Sequence, residues 1–295
     1  SLSELLDVLL KNRELTSLDL IPSHPSDLIS EIISQKDLEN FCKMILENSN
    51  NQILIYADYD VDGVASAAIL HSSLHALGID PIVYIPNRRT DGYGLNRSRL
   101  QSLLTDHPQI KLLITVDNGI SANQAIEDAK NVGIKVGIID HHHQPEKLPP
   151  YDALIYSNLT SASVLSWILS QHLANFPDSL SLATLGMIAD VIPLTGFNRS
   201  IAYHGLKQLN QTKHPGIKSL IQASGLLNQI DSGQVAFQLA PRLNASGRID
   251  DASKSFQLLI SKDLNTALLL ANELNNLNSQ RQILTIKALE FVDTQ

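Results

Sequence analysis

The sequence predicts an α/β fold: a doubly wound, mainly parallel sheet flanked by helices, then a helical region ending in a long connecting helix. Three observations carry this. Between residue 52 and about residue 156, short runs rich in β-branched residues alternate with segments of helical spacing, the pattern of βα units with right-handed crossovers. From residue 160 onward the spacing is helical. Finally, three clusters of metal-capable side chains each follow a strand-like run directly, at the strand ends where open parallel sheets bind ligands.

Taken in order, residues 1–50 read as helices in LSELLDVLL, PSDLISEIIS and KDLENFCKMILE, with starts at Pro25-Ser26-Asp27 and at Ser34 to Asp37. This segment carries no visible chemistry and is expected to pack on the sheet. Strands are expected near 53–57, 81–85, 111–116, 134–139 and 153–156, because each is a short β-branched or aromatic run bounded by turn residues. Helices are expected near 63–77, 97–105 and 121–131 between them. Beyond the sheet, helices are expected at 161–174, 179–189, 198–210, 215–223, 250–260 and from about 263. The stretch PRLNASGRI (241–249) reads as a loop interrupting them, on its Asn-Ala-Ser-Gly turn chemistry. The chain divides accordingly into an N-terminal helical segment (1–50), an α/β domain (51–212) and a helical region with a linker helix (213–295).

Composition narrows the class. Charged residues make up 18% and hydrophobic ones 43%, which fits a folded globular chain rather than a disordered one. No apolar run approaches the roughly 20 residues a bilayer span needs, and no export signal opens the chain. The single cysteine, Cys42, excludes an intrachain disulfide, fits a reducing cytoplasm and reads as packing. The net charge of −8 argues mildly against a general nucleic-acid coat but leaves room for a local basic groove. A start at Ser1 and a stop in an apparent helix suggest an excised piece of a longer protein.

The most informative stretch is QILIYADYDVDGVAS (52–66). Asp58, Asp60 and Asp62 crowd into five positions after a strand, and mutually repelling carboxylates call for a counter-charge such as a divalent cation. Alone, the same pattern is equally a solvated acidic turn. Asp117 directly follows KLLITV, and Asp140-His141-His142-His143 directly follows IKVGII, so all three clusters are expected on one rim. Carboxylates with an imidazole suit Mn²⁺, Zn²⁺ or Fe²⁺ better than Mg²⁺ alone. Asp60, Asp62, Asp117 and His141 would come from three strand ends. Asp190, an acid within the apolar run LATLGMIADVIPL, needs a partner or a shifted pKa; taken alone it reads as a helix C-terminal acid bonded to backbone. His71 and His75 stand four apart on one helix without an acidic or cysteine partner and read as surface or packing residues. Trp167 reads as core.

In order, DYDVDG, VDNG, DHH and GMIADVIPL resemble the four motifs of the DHH phosphoesterase superfamily, and PNRRTDGYGL, ITVDNGIS, PRLNASGRIDD and LNSQR resemble its RecJ subgroup. The resemblance runs from about residue 50 to the last residue, with a less clear stretch near 156–180. It implies that Asp60, Asp62, Asp117, His141 and Asp190 are metal ligands, with Asp117 bridging two ions and Asp190 sharing one of them. It implies that His142 sits near a metal or the scissile phosphate, that Asp140 orients an imidazole and that Asp58 has a supporting role. His143 has no assigned role. Arg88 resembles an arginine that steadies the 5′ end of a strand, with Arg89 the rival candidate. Tyr93 would stack on a base or fill the loop, and Arg242, Asn244 and Arg248 would face backbone phosphates.

The activity implied is a metal-dependent phosphodiesterase with two divalent cations, Mn²⁺ ahead of Mg²⁺. It would degrade single-stranded DNA from the 5′ end to 5′-mononucleotides in cytoplasmic DNA repair or recombination. Single-strand-binding protein and a helicase are the implied partners, and no membrane is involved. Two rivals are a DHH enzyme for short oligonucleotides or pAp, and a scaffold that binds single strands without cutting them. The sequence departs from the RecJ pattern in two places. SNLTSASVLSWIL replaces a longer linker with a glycine-rich helix start, and the second domain with its GSxRS-type stretch is not seen before Gln295.

Overall fold

Five aliphatic runs pair into one parallel sheet, of order β2-β1-β3-β4-β5, in the computed structural model, which describes residues 2–13, 21–88, 90–92, 94–249 and 251–293. The strands are β1 (Gln52–Ala57), β2 (Ile82–Tyr84), β3 (Ile110–Val116), β4 (Lys135–Asp140) and β5 (Ala153–Tyr156). Alternation along β1 shows why they are so uniformly apolar. Ile53, Ile55 and Ala57 enter the core on one face, while Leu54 and Tyr56 enter the core on the other. A sheet covered on both sides leaves no face for polar residues.

The first face is covered by α2 (Gln35–Glu47), α3 (Val61–Ala76), α6 (Ala162–Leu173) and α7 (Ser179–Ala189). The second is covered by α4 (Arg97–Asp106) and α5 (Asn123–Asn131). Helix α3 is apolar or small on nearly every side, and its Ala65, Ser66, Ala67 and Ala68 are fully buried. Short side chains let α6 and α7 approach it closely, and Trp167 of α6 lies in this core, as expected. The N-terminal segment begins with α1 (Leu2–Lys11). It continues through a 3₁₀ turn (Pro25–Glu31) capped by His24, and Ser34 caps α2. The turn is tied to α8 (Gly196–Asn210) by His204 Nε2 and the Pro22 carbonyl, 3.0 Å apart. Helix α2 packs beside β5, as the apolar spacing of KDLENFCKMILE requires, and Cys42 is half-buried there.

After α8 come α9 (Pro215–Ala223), α10 (Ser232–Gln234), a π-helical turn (Val235–Leu239), α11 (Ala240–Ile249), α12 (Ser253–Ile260) and α13 (Leu264–Asp293). Here the sequence reading is corrected: 241–249 is a helix, not a loop. Turn-forming residues tolerate helix where packing repays them. Leu243, Ala245, Ser246 and Gly247 are buried, and α11 lies along α13. Ser246 and Ser255 satisfy their hydroxyls on the Leu243 carbonyl and on each other. The short α10 and the π-helical turn after it (232–239) have no counterpart among the expected elements, and the remaining elements fall within three residues of the expected bounds.

Candidate metal centre

Register delivers the clusters to one place. Ala57 pairs with Val116, and Val116 pairs with Ile139, so Asp58, Asp117 and Asp140 leave their strands at the same level. The strand order reverses between β1 and β3, and the crevice beyond such a reversal is where open α/β sheets bind ligands.

Each acid has a local reason for its position. Asp60 caps α3, its Oδ1 accepting from the amides of Asp62 (3.0 Å) and Gly63 (3.1 Å). Asp62 is held by another helix: its carboxylate accepts from the amides of Ala162 (2.7 Å) and Ser163 (3.0 Å) at the start of α6. Helix α7 must pass close to this pair, and Gly186 permits it. A Cβ there would stand 2.7 Å from Asp62 Oδ1 and 2.3 Å from Ser163 Oγ. Gly63 is required for the same reason, since its Cβ would meet the Asp58 carbonyl at 2.5 Å.

Asp117 adopts the left-handed conformation (φ 60°), which turns its side chain into the crevice at the end of β3. It is 1% exposed, and its Oδ1 has no hydrogen-bond partner. Asp140 does not face the crevice freely. Its Oδ1 accepts from the amides of His141 (2.8 Å) and His142 (3.1 Å) and lies 2.8 Å from His142 Nδ1, while Oδ2 accepts from Ile120 N. Asp140 therefore orients the His142 ring through Nδ1. His141 Nε2 sits amid three carboxylates, 3.1 Å from Asp117 Oδ1, 3.7 Å from Asp62 Oδ2 and 3.7 Å from Asp190 Oδ2. Asp190, the C-cap of α7, is thus part of the cluster as well as a helix-terminal acid, and its amide donates to the Gly186 carbonyl at 2.9 Å.

The electrostatics of the site follow from the same crowding. Burial, with the neighbouring Asp60 adding to it, pushes the Asp58 carboxyl up to about 7. Burial and then the charges of Asp62 and Asp60 push Asp190 up to about 7. Asp117 is raised well above the ordinary range by burial and by its acidic neighbours, and Asp62 is raised chiefly by burial. Burial also works against ionised Asp140, but the hydrogen bonds from His142 and Ile120 outweigh it and leave Asp140 below its ordinary value. His142 is correspondingly raised by its bond to Asp140. So many acids penalised together are at ease only beside positive charge.

Three overlapping sets place one ligand atom per residue within 4.8 Å of one another: Asp62, His141 and Asp190; Asp58, Asp60 and Asp117; and Asp117, His141 and His142. Oxygen-rich sets with at most two imidazoles fit a hard or borderline divalent cation, and Asp117, which belongs to two of the sets, has a buried Oδ1 that accepts no hydrogen bond. The residues present fit a pair of ions.

The other expected site residues are placed more variously. Arg88 is exposed, and its guanidinium carbon stands 5.6 Å from the centre of the Tyr59 ring, beside the acidic turn. Arg248 is exposed and its charge also acts on the Tyr59 hydroxyl. Arg242 is turned to α13 and its own helix, with Nε on Asn275 Oδ1 (2.9 Å) and Nη1 on the Gln238 carbonyl (2.6 Å). Asn244 Oδ1 accepts from Val61 N at 3.2 Å, steadying the acidic turn. His143 is exposed. Tyr93 and Arg89 lie outside the described residues. Three supporting parts escape a sequence reading: the α6 amides that hold Asp62, Tyr59 between two arginines, and the Asp91 hub of the 85–96 loop. Asp91 Oδ2 accepts from Tyr84 Oη (2.6 Å) and Asn87 N (2.9 Å). Only the DG in TDGYG hints at the last.

Residues 52–212 match the family model described as the DHH family, N-terminal domain. The chain is 36% identical over 286 residues to the single-stranded-DNA-specific exonuclease RecJ of Bacillus subtilis (strain 168), covering 92% of this chain and 34% of that protein. A crystal structure of exonuclease RecJ bound to manganese superposes with a TM-score of 0.79 at 32% identity, covering 88% of this chain and 70% of that one. The crystal structure of RecJ from Thermus thermophilus in complex with Mg²⁺ gives a TM-score of 0.64 at 28% identity, covering 90% and 38%. The chain thus spans between a third and a half of the length of the curated relatives it matches. Among the described residues, no helix is long and apolar enough to cross a membrane.

Proposed function

The chain belongs to the DHH family, and on that premise we propose that it is the catalytic part of a metal-dependent phosphodiesterase that degrades single-stranded DNA from the 5′ end to 5′-mononucleotides. The observation that carries this reading is the pair of ligand sets at one rim, joined through Asp117 and His141, whose Oδ1 and Nε2 stand 3.1 Å apart. Relatives solved with Mn²⁺ and with Mg²⁺ support a divalent cation of either kind, and the imidazole of His141 is the reason to place Mn²⁺ first.

Asp62, His141 and Asp190 would hold one cation, Asp58 and Asp60 the other, and Asp117 both. Bound there, two divalent cations supply a Lewis-acidic centre that lowers the pKa of a water and neutralises charge on a phosphate in flight. The protein does the rest. The Asp140 carboxylate, bonded to Nδ1, fixes the His142 ring so that Nε2 can meet a phosphate oxygen. The Asp60 cap of α3 and the α6 amides that hold Asp62 would fix the acidic turn in place. Arg88 and Arg248 flank Tyr59 at the rim and would hold the strand by its phosphates, for which guanidinium geometry is suited. Asn244 serves the turn directly through Val61.

In this reading the described part of residues 1–50 braces the sheet, 51–212 carry the chemistry and 213–295 form a helical region that ends in α13. The partners would be a single-stranded DNA, with single-strand-binding protein and a helicase alongside, in the cytoplasm. The test is Mn²⁺-dependent digestion of 5′-labelled against 3′-labelled single strands, with a dinucleotide and pAp as rival substrates. Release of labelled mononucleotide first from the 5′ label supports the reading. Preference for the dinucleotide or pAp, or no cleavage by the full-length protein, refutes it.

A further inference from the structure

Val191 follows the candidate ligand Asp190 and sits in the left-handed conformation, φ 60°, where a β-branched side chain is a steric outlier. The position has a structural cause. It ends α7 in a Schellman turn, with Val191 N donating to the Ile188 carbonyl (3.2 Å) and Ile192 N to the Met187 carbonyl (3.3 Å). That turn asks for glycine or asparagine at this residue. Valine is disfavoured there, and it gains nothing by packing, since 83% of it is exposed.

A second exposed apolar residue lies nearby. Leu159, 60% exposed, belongs to the loop before α6, the helix whose first amides hold Asp62. The two loops are stapled together by one buried amide: Asn198 Nδ2 donates both to the Leu159 carbonyl (2.7 Å) and to the Pro193 carbonyl (3.2 Å). Each loop therefore carries an exposed aliphatic side chain and adjoins an element that supplies or holds a ligand of the Asp62–His141–Asp190 set. Strain kept in the open beside a reactive centre indicates a contact made only when something is bound.

We propose that Val191, with Leu159, forms an apolar lip against which the base of the nucleotide at the cation centre packs, so that Val191 is a substrate-contacting residue that positions the strand. The inference rests on the phosphodiesterase reading above and adds the base contact to it. An aliphatic lip contacts every base through its π face, which suits degradation without sequence preference.

The experiment compares the wild type with Val191→Asn. Asparagine tolerates the left-handed conformation and removes the apolar surface, whereas Val191→Ile retains that surface. First, the metal-free protein is melted. Relief of strain predicts that Val191→Asn raises Tm by about 2 °C; a lowered Tm would show that the valine stabilises the resting fold and would overturn the proposal. Second, KM is measured on a 5′-phosphorylated single strand and on the same strand with an abasic first nucleotide. Val191→Asn should raise KM on the intact strand about tenfold, Val191→Ile should stay near wild type, and the abasic strand should erase the difference between wild type and Val191→Asn. Equal KM values on the intact strand, or a loss that persists in full on the abasic one, overturn the proposal. Should the wild type bind without cutting, the phosphodiesterase reading fails while fluorescence-anisotropy affinities on the same two strands still decide the lip. Absence of any strand binding overturns both.

Discussion

The replacement Asp58→Asn tests the electrostatics of the centre without touching its shape. Asp58 is 1% exposed, and burial and the charge of Asp60 lift its carboxyl from an ordinary 3.8 to about 7. A group whose folded-state pKa is raised binds protons more tightly when folded. Its neutral form is therefore fully accommodated below the unfolded value near 4, and stability is lost as pH rises through 7. About three units at roughly 1.4 kcal/mol each put the loss near 4 kcal/mol at pH 8. Asparagine keeps the acceptor that Tyr59 N uses at 2.7 Å but cannot ionise. In guanidinium unfolding with EDTA, Asp58→Asn and wild type should be nearly equal at pH 4. The variant should become more stable by about 3–4 kcal/mol as pH approaches 8. With Mn²⁺ present at pH 8 the order should reverse, because the cation stabilises the carboxylate and binds only the folded protein. A variant that is less stable than wild type in EDTA at pH 8, or whose advantage does not depend on pH, would refute the reasoning.

Other consequences are as direct. Because Asp58 and Asp190 hold protons up to about pH 7, Mn²⁺ binding at pH 6.5 should release protons, and release should fade by pH 8.5; calorimetry in buffers of different ionisation enthalpy reads the number. Gly186→Ala would drive a methyl group into Asp62 and Ser163, so it should lower stability by about 1–3 kcal/mol and weaken Mn²⁺ binding in parallel, as followed by EPR. Tyr84→Phe should loosen the 85–96 loop, since the phenol oxygen donates to Asp91 and accepts from Arg99 Nε at 2.6 Å; KM for a 5′-phosphorylated strand should rise more than kcat falls.

How far the sequence leads follows from what kind of signal each part leaves. The sheet is legible because burial on both faces writes mainly apolar, β-branched runs into β1, β3 and β4. The gathering of Asp60, Asp62, Asp117 and His141 is legible because the rule for parallel sheets sends strand ends to one rim. Asp190 is harder, since its neighbours in sequence are apolar and its partners are 48 to 130 residues away. Helix α11 reads wrongly as a loop because local turn chemistry in LNASG is outweighed by contacts with α13 and α12, which no local pattern encodes. Backbone partners leave the weakest trace. Nothing in SNLTSAS announces that its amides hold Asp62, and nothing in ADVIP announces a strained valine.

The most direct measurement is anomalous diffraction at the manganese edge from crystals soaked in Mn²⁺. The account predicts two peaks roughly 3.5–4 Å apart, both within ligand distance of Asp117, with Asp62, His141 and Asp190 around one and Asp58 and Asp60 around the other. Manganese bound away from Asp117, or no peak at that rim at saturating Mn²⁺, would contradict it.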